Sequence, residues 1–249
     1  MYPLFERENE CFREYYYEIE KIQLYRWTTG DGMKVPPQFI NYFELARGLY
    51  QTGPSHDFSH IERVFNLALH IGEQEKADLH ILGVAALFHD LARDEEAASQ
   101  GKICHAMASA KRAREILTGQ GEEPSQIESI SECIATHRFR NDNQPRTIEA
   151  KCLFDADKLD SLGAIGVARA FLWLGERGGS VYMEREEWEK TNFSSNLKGE
   201  DSIQREWYIK LQYIPDKLFT ETARRIAVKR NATMKNYLDI LEREVHGLE

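Results

Sequence analysis

The chain has 249 residues, 42% of them hydrophobic and 29% charged, the balance of a globular protein with a sizeable core; a disordered, low-complexity or collagen-like chain is excluded. Its 32 Lys and Arg face 41 Asp and Glu, a formal net charge of −9, which opposes general adhesion to nucleic acid because that draws on counterion release at a basic surface. The longest unbroken apolar run, Ile81 to Phe88, falls far short of the roughly 18 to 20 residues that cross a bilayer, and residues 1–10 lack the apolar stretch of a signal peptide, so the expected location is cytoplasmic.

Four cysteines, Cys11, Cys104, Cys133 and Cys152, form no CxxC pair, which argues against a disulfide framework or a thiolate zinc site and for ordinary buried thiols. Apolar residues recur at helical spacing along most of the chain and no hairpin signal appears, so the predicted fold is all-α. Two opening helices are expected over Leu4–Tyr25 and Pro37–Tyr50, within an N-terminal element of residues 1–52. A third starts at Asp57, whose carboxylate can cap it, buries Ile61, Val64, Phe65 and Ala68, and ends near Gly72. Residues Asp78 to Ala92 are apolar on nearly every side, as a central helix requires, and close on His89-Asp90.

A polar loop is predicted over Arg93–Lys102, then a helix from Cys104 to about Leu117 stopped by Gly119 and Gly121, and another opened by Pro124. In the latter, Ile127, Ile130, Ile134 and His137 fall on one stripe, which places His137 on the core face. A further helix starts near Thr147 and runs through Asp155, Asp157 and Asp160 to an apolar stretch, Leu162–Leu174. Residues 176–199 read as an irregular insertion, and closing helices follow over Ile203–Tyr213 and Lys217–Val245, within about residues 203–246, separated by Pro215. The whole chain reads as one domain.

Three groups carry chemistry. His56 and His60 stand four apart at a helix start, a spacing that can share a metal and that capping or a solvated face explains equally well. His89 and Asp90 end an apolar helix, about 100° apart around its axis, and burying them without partners is costly. Asp155, Asp157 and Asp160 lie in an otherwise apolar helix with Lys158. Asp155 and Asp157 differ by about 200°, too far to share an ion, and periodicity does not choose between them.

Together, His60, His89-Asp90 and Ala156-Asp157 resemble the H…HD…D signature of the HD-domain phosphohydrolase superfamily. The segments SHDFSHIERV, ALFHDLA and DADKLDSLGAIGVARAF are similar to the small bacterial and archaeal HD hydrolases that include nucleotide pyrophosphohydrolases; the similarity runs from about residue 55 to 175. The resemblance implies an HD-domain helical bundle with an additional N-terminal helical element, and metal ligands His60, His89, Asp90 and Asp157, the last chosen over Asp155 by the family pattern.

Two imidazoles and two carboxylates suit a divalent ion such as Mn, Fe, Ni, Zn or Mg. Such an ion activates water and neutralises phosphate oxygens, which answers the objection of an acidic chain. The implied activity is hydrolysis of a phosphate ester or anhydride in a small phosphorylated metabolite, a nucleotide first among them; the rival is a metal- and nucleotide-binding regulatory module without turnover. Arg93, Lys158, His56 and His105 are candidates for touching the substrate, and Asp94 and His137 for handling the proton of the attacking water. Plain readings stand beside these: Arg93 and Lys158 as solvated cations, His105 as a helix-start residue, His137 as a satisfied core histidine. Because some HD proteins carry extra histidines for a second ion, His105 and His137 raise that count, but one ion is expected here.

Overall fold

A computed structural model describes residues 35–50, 58–138, 143–190 and 201–248, the side chain of Trp188 excepted. The predicted helix over residues 4–25, Cys11, His56 and the Asp57 cap lie outside them. The chain divides into two compact units, Met1–Leu45 and Ala46–Glu249. In the first, the described part is a single 3-10 turn, Pro37–Phe39, opened by a proline whose missing N–H costs nothing at a helix start, and the beginning of α1 (Ile40–Leu49).

The second unit is all-α among the described residues. Its elements after α1 are α2 (Phe58–Glu75), α3 (Leu79–Phe88), α4 (Arg93–Ala98), α5 (His105–Gln120), α6 (Pro124–Thr136), α7 (Ile148–Leu159), α8 (Gly163–Arg177), α9 (Arg185–Glu189), α10 (Ile203–Ile209) and α11 (Glu221–Val245). As its all-round apolar sequence dictates, α3 is the centre: Leu82 to Phe88 are all buried, and α2, α5, α6 and α7 pack around it. Burying Leu82, Val84, Leu87 and Phe88 contributes about 1.5–3 kcal/mol each before the entropy of ordering them is counted.

Caps fix where the helices begin, and so where the site residues fall. Asp78 Oδ1 accepts from His80 N and Ile81 N (2.9 and 3.1 Å) at the start of α3. The Asp78 amide donates to Glu149 Oε1 in the first turn of α7 (2.9 Å), tying the two helices that carry three of the expected ligands. Thr147 and Thr220 cap α7 and α11 in the same way.

Four expectations are corrected. The polar loop after His89-Asp90 is in part the helix α4: Asp94, Glu95 and Glu96 complement the positive end of a helix, and Gln100 and Gly101, at φ 54 and 81, stop it. Gly119 stays helical, and α5 ends only at Gly121, whose φ of 78 is the left-handed value glycine adopts freely. The irregular stretch contains α9. The first closing helix ends at Ile209 before two 3-10 turns, Leu211–Tyr213 and Pro215–Lys217, and α11 starts at Glu221 rather than Lys217. Of the described cysteines, Cys133 and Cys152 are buried and Cys104 is half-buried.

Candidate metal centre

Three helices converge at one end of α3. His60 lies in the first turn of α2, His89 and Asp90 form the turn that ends α3, and Asp157 projects from α7. His60 Nε2 is 3.5 Å from Asp157 Oδ1 and 3.7 Å from Asp90 Oδ2. His89 Nε2 is 3.7 Å from Asp90 Oδ2 and 4.0 Å from Asp157 Oδ1. First-row ions bind nitrogen and oxygen at about 2.0–2.2 Å, which sets neighbouring donors about 3–4 Å apart; the cluster offers two such donor sets that share His89, one of His60, His89 and Asp157 and one of His89, Asp90 and His137.

The protonation of His89 suits it to either set. Its Nδ1 donates to the Ala86 carbonyl at 2.8 Å, so the neutral ring turns the lone pair of Nε2 into the cluster. Complete burial drives its pKa down to about 4, which keeps the ring neutral. That lone pair is buried and receives no hydrogen bond, a loss of about 1–3 kcal/mol that a bound cation removes. For His60, burial disfavours charge but hydrogen bonding to Asp157 and Asp160 outweighs it and raises the pKa. Burial likewise opposes ionisation of Asp90 and Asp157, yet the imidazoles around Asp90, and Lys158 and His60 beside Asp157, hold both carboxyls well below their ordinary values.

A second histidine pair borders the first. His137 caps the end of α6 and donates through Nδ1 to the Ile134 carbonyl (2.7 Å). Its Nε2 lies 3.1 Å from His105 Nε2 and 3.5 Å from Asp90 Oδ1. His105, fully buried at the start of α5, stands 3.2 Å from Asp90 Oδ1 and donates through Nδ1 to Glu96 Oε2 at 2.7 Å. Arg138 Nη1 also donates to Glu96 Oε2 (2.6 Å), while Arg93 Nη1 approaches His105 Nε2 (3.2 Å) and Asp90 Oδ1 (3.8 Å). Lys158 Nζ donates to Asp157 Oδ2 at 2.5 Å and lies over the Phe154 ring.

The structure thus gathers His60, His89, Asp90, Asp157, His105, His137, Arg93 and Lys158. Asp94 is exposed on α4 and makes no polar contact with them; Glu96, two residues on, faces the site instead. Asp155 and Asp157 occupy different settings, and only Asp157 lies against His60. Asp155 is buried away from the cluster and accepts from Phe219 N, Thr220 N and Thr220 Oγ1 at 2.7–2.9 Å, which joins α7 to the start of α11.

Sequence reasoning did not single out Glu96 or Tyr50, and it named Asp160 only as one of three carboxylates in its helix, without a role. The Tyr50 hydroxyl donates to the Leu87 carbonyl (3.1 Å) and accepts from the Asp90 amide (3.3 Å), holding the His89-Asp90 turn. Asp160 accepts from His60 Nδ1 at 2.7 Å. One signal was present for it: Arg63 follows His60, and Asp160 follows Asp157, by three residues, so an acid and a base repeat one turn on at facing positions.

The model of the HD domain family matches residues 57–162. The Bacillus subtilis protein YpgQ is 33% identical over 196 residues, covering 78% of this chain and 86% of that protein. The chain belongs to the HD-domain family. Among solved structures, the HD fold seen here is similar to that of Bacillus subtilis YpgQ in complex with ADP, at TM-score 0.64 and 29% identity over 84% of this chain and 98% of that one. It is also similar to an HD-superfamily hydrolase from Bacillus thuringiensis, at TM-score 0.63 and 25% identity, covering 84% and 97%. A predicted HD-superfamily hydrolase from an uncultured Thermotogales bacterium gives TM-score 0.55 and 27% identity, covering 85% and 92%.

Proposed function

We propose that this HD-family chain is a metal-dependent phosphohydrolase acting on a small phosphorylated metabolite, a nucleotide first among them. The observation that carries the reading is the neutral His89 lone pair, buried without a donor where two donor sets meet, His60 with Asp157 and Asp90 with His137. In this reading His60, His89, Asp90 and Asp157 hold one divalent ion, which supplies a Lewis acid for activating water and neutralising phosphate oxygens. ADP in the YpgQ complex supports a nucleotide as the ligand class.

The chain's own groups do the rest. Arg93 and Lys158 stand beside Asp90 and Asp157 and supply the local positive charge that an acidic protein needs near a polyanion. His137 is better placed than Asp94 to take a proton, because its Nδ1 is fixed to a carbonyl and its Nε2 faces Asp90. His105 borders the same space, held by Glu96.

Metal analysis of the purified protein, coupled to a hydrolysis screen of nucleoside mono-, di- and triphosphates with several divalent ions, tests the proposal. Turnover with about one ion per chain is expected. Tight nucleotide binding without hydrolysis under every ion would overturn the enzyme reading in favour of a regulatory module.

A further inference from the structure

The histidines of the cluster are not all held alike. His89 and His137 give their Nδ1 protons to main-chain carbonyls, whereas His60 gives its own to a side chain, Asp160 Oδ2, at 2.7 Å. Asp160 is buried at the C-terminal end of α7, where the helix dipole and desolvation both disfavour a negative charge. The helix gains nothing from a carboxylate there. Two guanidinium groups compensate for it: Arg63 donates through Nε to Oδ1 (2.8 Å) and through Nη2 to Oδ2 (3.1 Å), and Arg169 of α8 donates through Nη1 to Oδ2 (2.7 Å). Arg63 is anchored in turn on Ser59 Oγ (2.7 Å), and Arg169 Nη1 also reaches the Asp160 carbonyl (3.2 Å).

An ionised carboxylate has no proton to give, so in the neutral ring of His60 the proton sits on Nδ1 and Nε2 presents its lone pair to the space between Asp90 and Asp157. We propose that Asp160, clamped by Arg63 and Arg169, is the positioning residue that fixes His60 as an Nε2 ligand and sets the affinity of the site for a divalent cation. The affinity half of this rests on the metal reading above; the orientation half concerns the metal-free protein alone. The clamp gives the carboxylate a fixed direction, and a ring so aimed loses less rotational freedom when it binds an ion.

Two measurements test it. Nitrogen-15 spectra of histidine-labelled, metal-free protein, at a pH where the rings are neutral, are expected to show His60 as a single Nδ1–H tautomer in the wild type and a mixture in Asp160→Ala. Titration with Mn(II) is expected to show affinity about 10- to 100-fold weaker in Asp160→Ala, with Asp160→Asn recovering part of the loss because an amide oxygen still accepts from Nδ1. Arg169→Ala, which leaves both Asp160 and His60 in place, is expected to weaken Mn(II) several-fold, and it carries the test if the Asp160 variants do not fold. An Nε2–H tautomer in the wild type, or Mn(II) affinity unchanged in Arg169→Ala and in any folded Asp160 variant, would overturn the proposal. A wild type that binds no Mn(II) overturns the metal reading and the affinity claim together. A tautomer indifferent to Asp160 in a protein that does bind Mn(II) overturns this proposal alone.

Discussion

The two flanks of the cluster use one building unit in opposite settings. On one side Asp160 holds His60 and is held by Arg63 and Arg169; on the other Glu96 holds His105 and is held by Arg138. Each unit is a carboxylate, an imidazole and arginine in contact. The difference lies at the far side of the ring. His60 Nε2 looks onto two carboxylates, Asp157 and Asp90. His105 Nε2 looks onto one, shared with a second imidazole, and a guanidinium, Arg93, already stands 3.2 Å from it. A divalent cation is favoured where negative groups converge and opposed where a fixed positive charge occupies the approach. Under the proposed function, the comparison favours the His60 flank for the cation and the His105 flank for the phosphate.

The largest effects should follow from the residues both flanks share. His89→Ala or Asp90→Ala is expected to abolish metal retention and hydrolysis together, a loss beyond about 100-fold, read by elemental analysis and by turnover. Full metal content in Asp90→Ala would break the comparison at its centre, because Asp90 is the carboxylate that faces both flanks.

Next comes the pair that sequence spacing left undecided. Asp157→Asn should lose metal while keeping its fold. Asp155→Ala should keep metal at permissive temperature but lose stability, by about 3 kcal/mol, since buried donors of Phe219 and Thr220 are then left without an acceptor. Chemical denaturation with metal analysis distinguishes them, and the reverse pattern would show the ligand carboxylate to be Asp155.

These two aspartates also show what the sequence could and could not tell. The residue types of the cluster and their helices were legible, because an apolar helix ending in His-Asp, and carboxylates inside an apolar stripe, are costly patterns that need an explanation. Which aspartate faces the site was not, because a helix can bury both faces and periodicity does not say against what. Asp160 and Glu96 were harder still: the Arg63–Asp160 pair spans 97 residues and the Arg138–Glu96 pair 42, so neither leaves a local spacing. The helix α4 escaped notice for a related reason, being six residues long with no buried side chain to give it an apolar period. The all-α class and the central position of α3 were legible because they rest on long periodic segments.

The pH dependence of the metal-free protein separates the two behaviours within the cluster. The pKa of His89 is about 4 when folded and about 6.5 when unfolded. As pH falls below 6.5 the unfolded chain therefore takes a proton that the folded chain refuses, and stability drops toward pH 4 by about 3 kcal/mol. His60 has the opposite sign. Its raised pKa contributes stability that is fully present below 6.5 and is lost as pH rises through the folded value. In chelator, unfolding free energy is expected to peak near neutrality, and His89→Gln should flatten the acid side alone. An acid limb unchanged in that variant would mean His89 is not the buried neutral ring its contacts describe.

The smallest expected effects sharpen the division of labour between the flanks, and they differ for the two cations. Arg93 lies 3.8 Å from Asp90 Oδ1 and belongs to the His105 side, so Arg93→Ala should leave metal content intact and lower kcat/KM, the loss growing at low salt where screening is weakest. Lys158 is in direct contact with Asp157 Oδ2 and, under the proposed function, would compete with a metal ion for that carboxylate. Lys158→Met keeps the apolar stem that packs over Phe154 and removes only the charge. It should therefore bind metal as tightly as the wild type or several-fold tighter while KM rises, a pattern that simple damage to the site does not produce. Equal loss of metal in both variants would show that the positive groups stabilise the carboxylates themselves rather than receive phosphate, and the separation of the two flanks would then have to be abandoned.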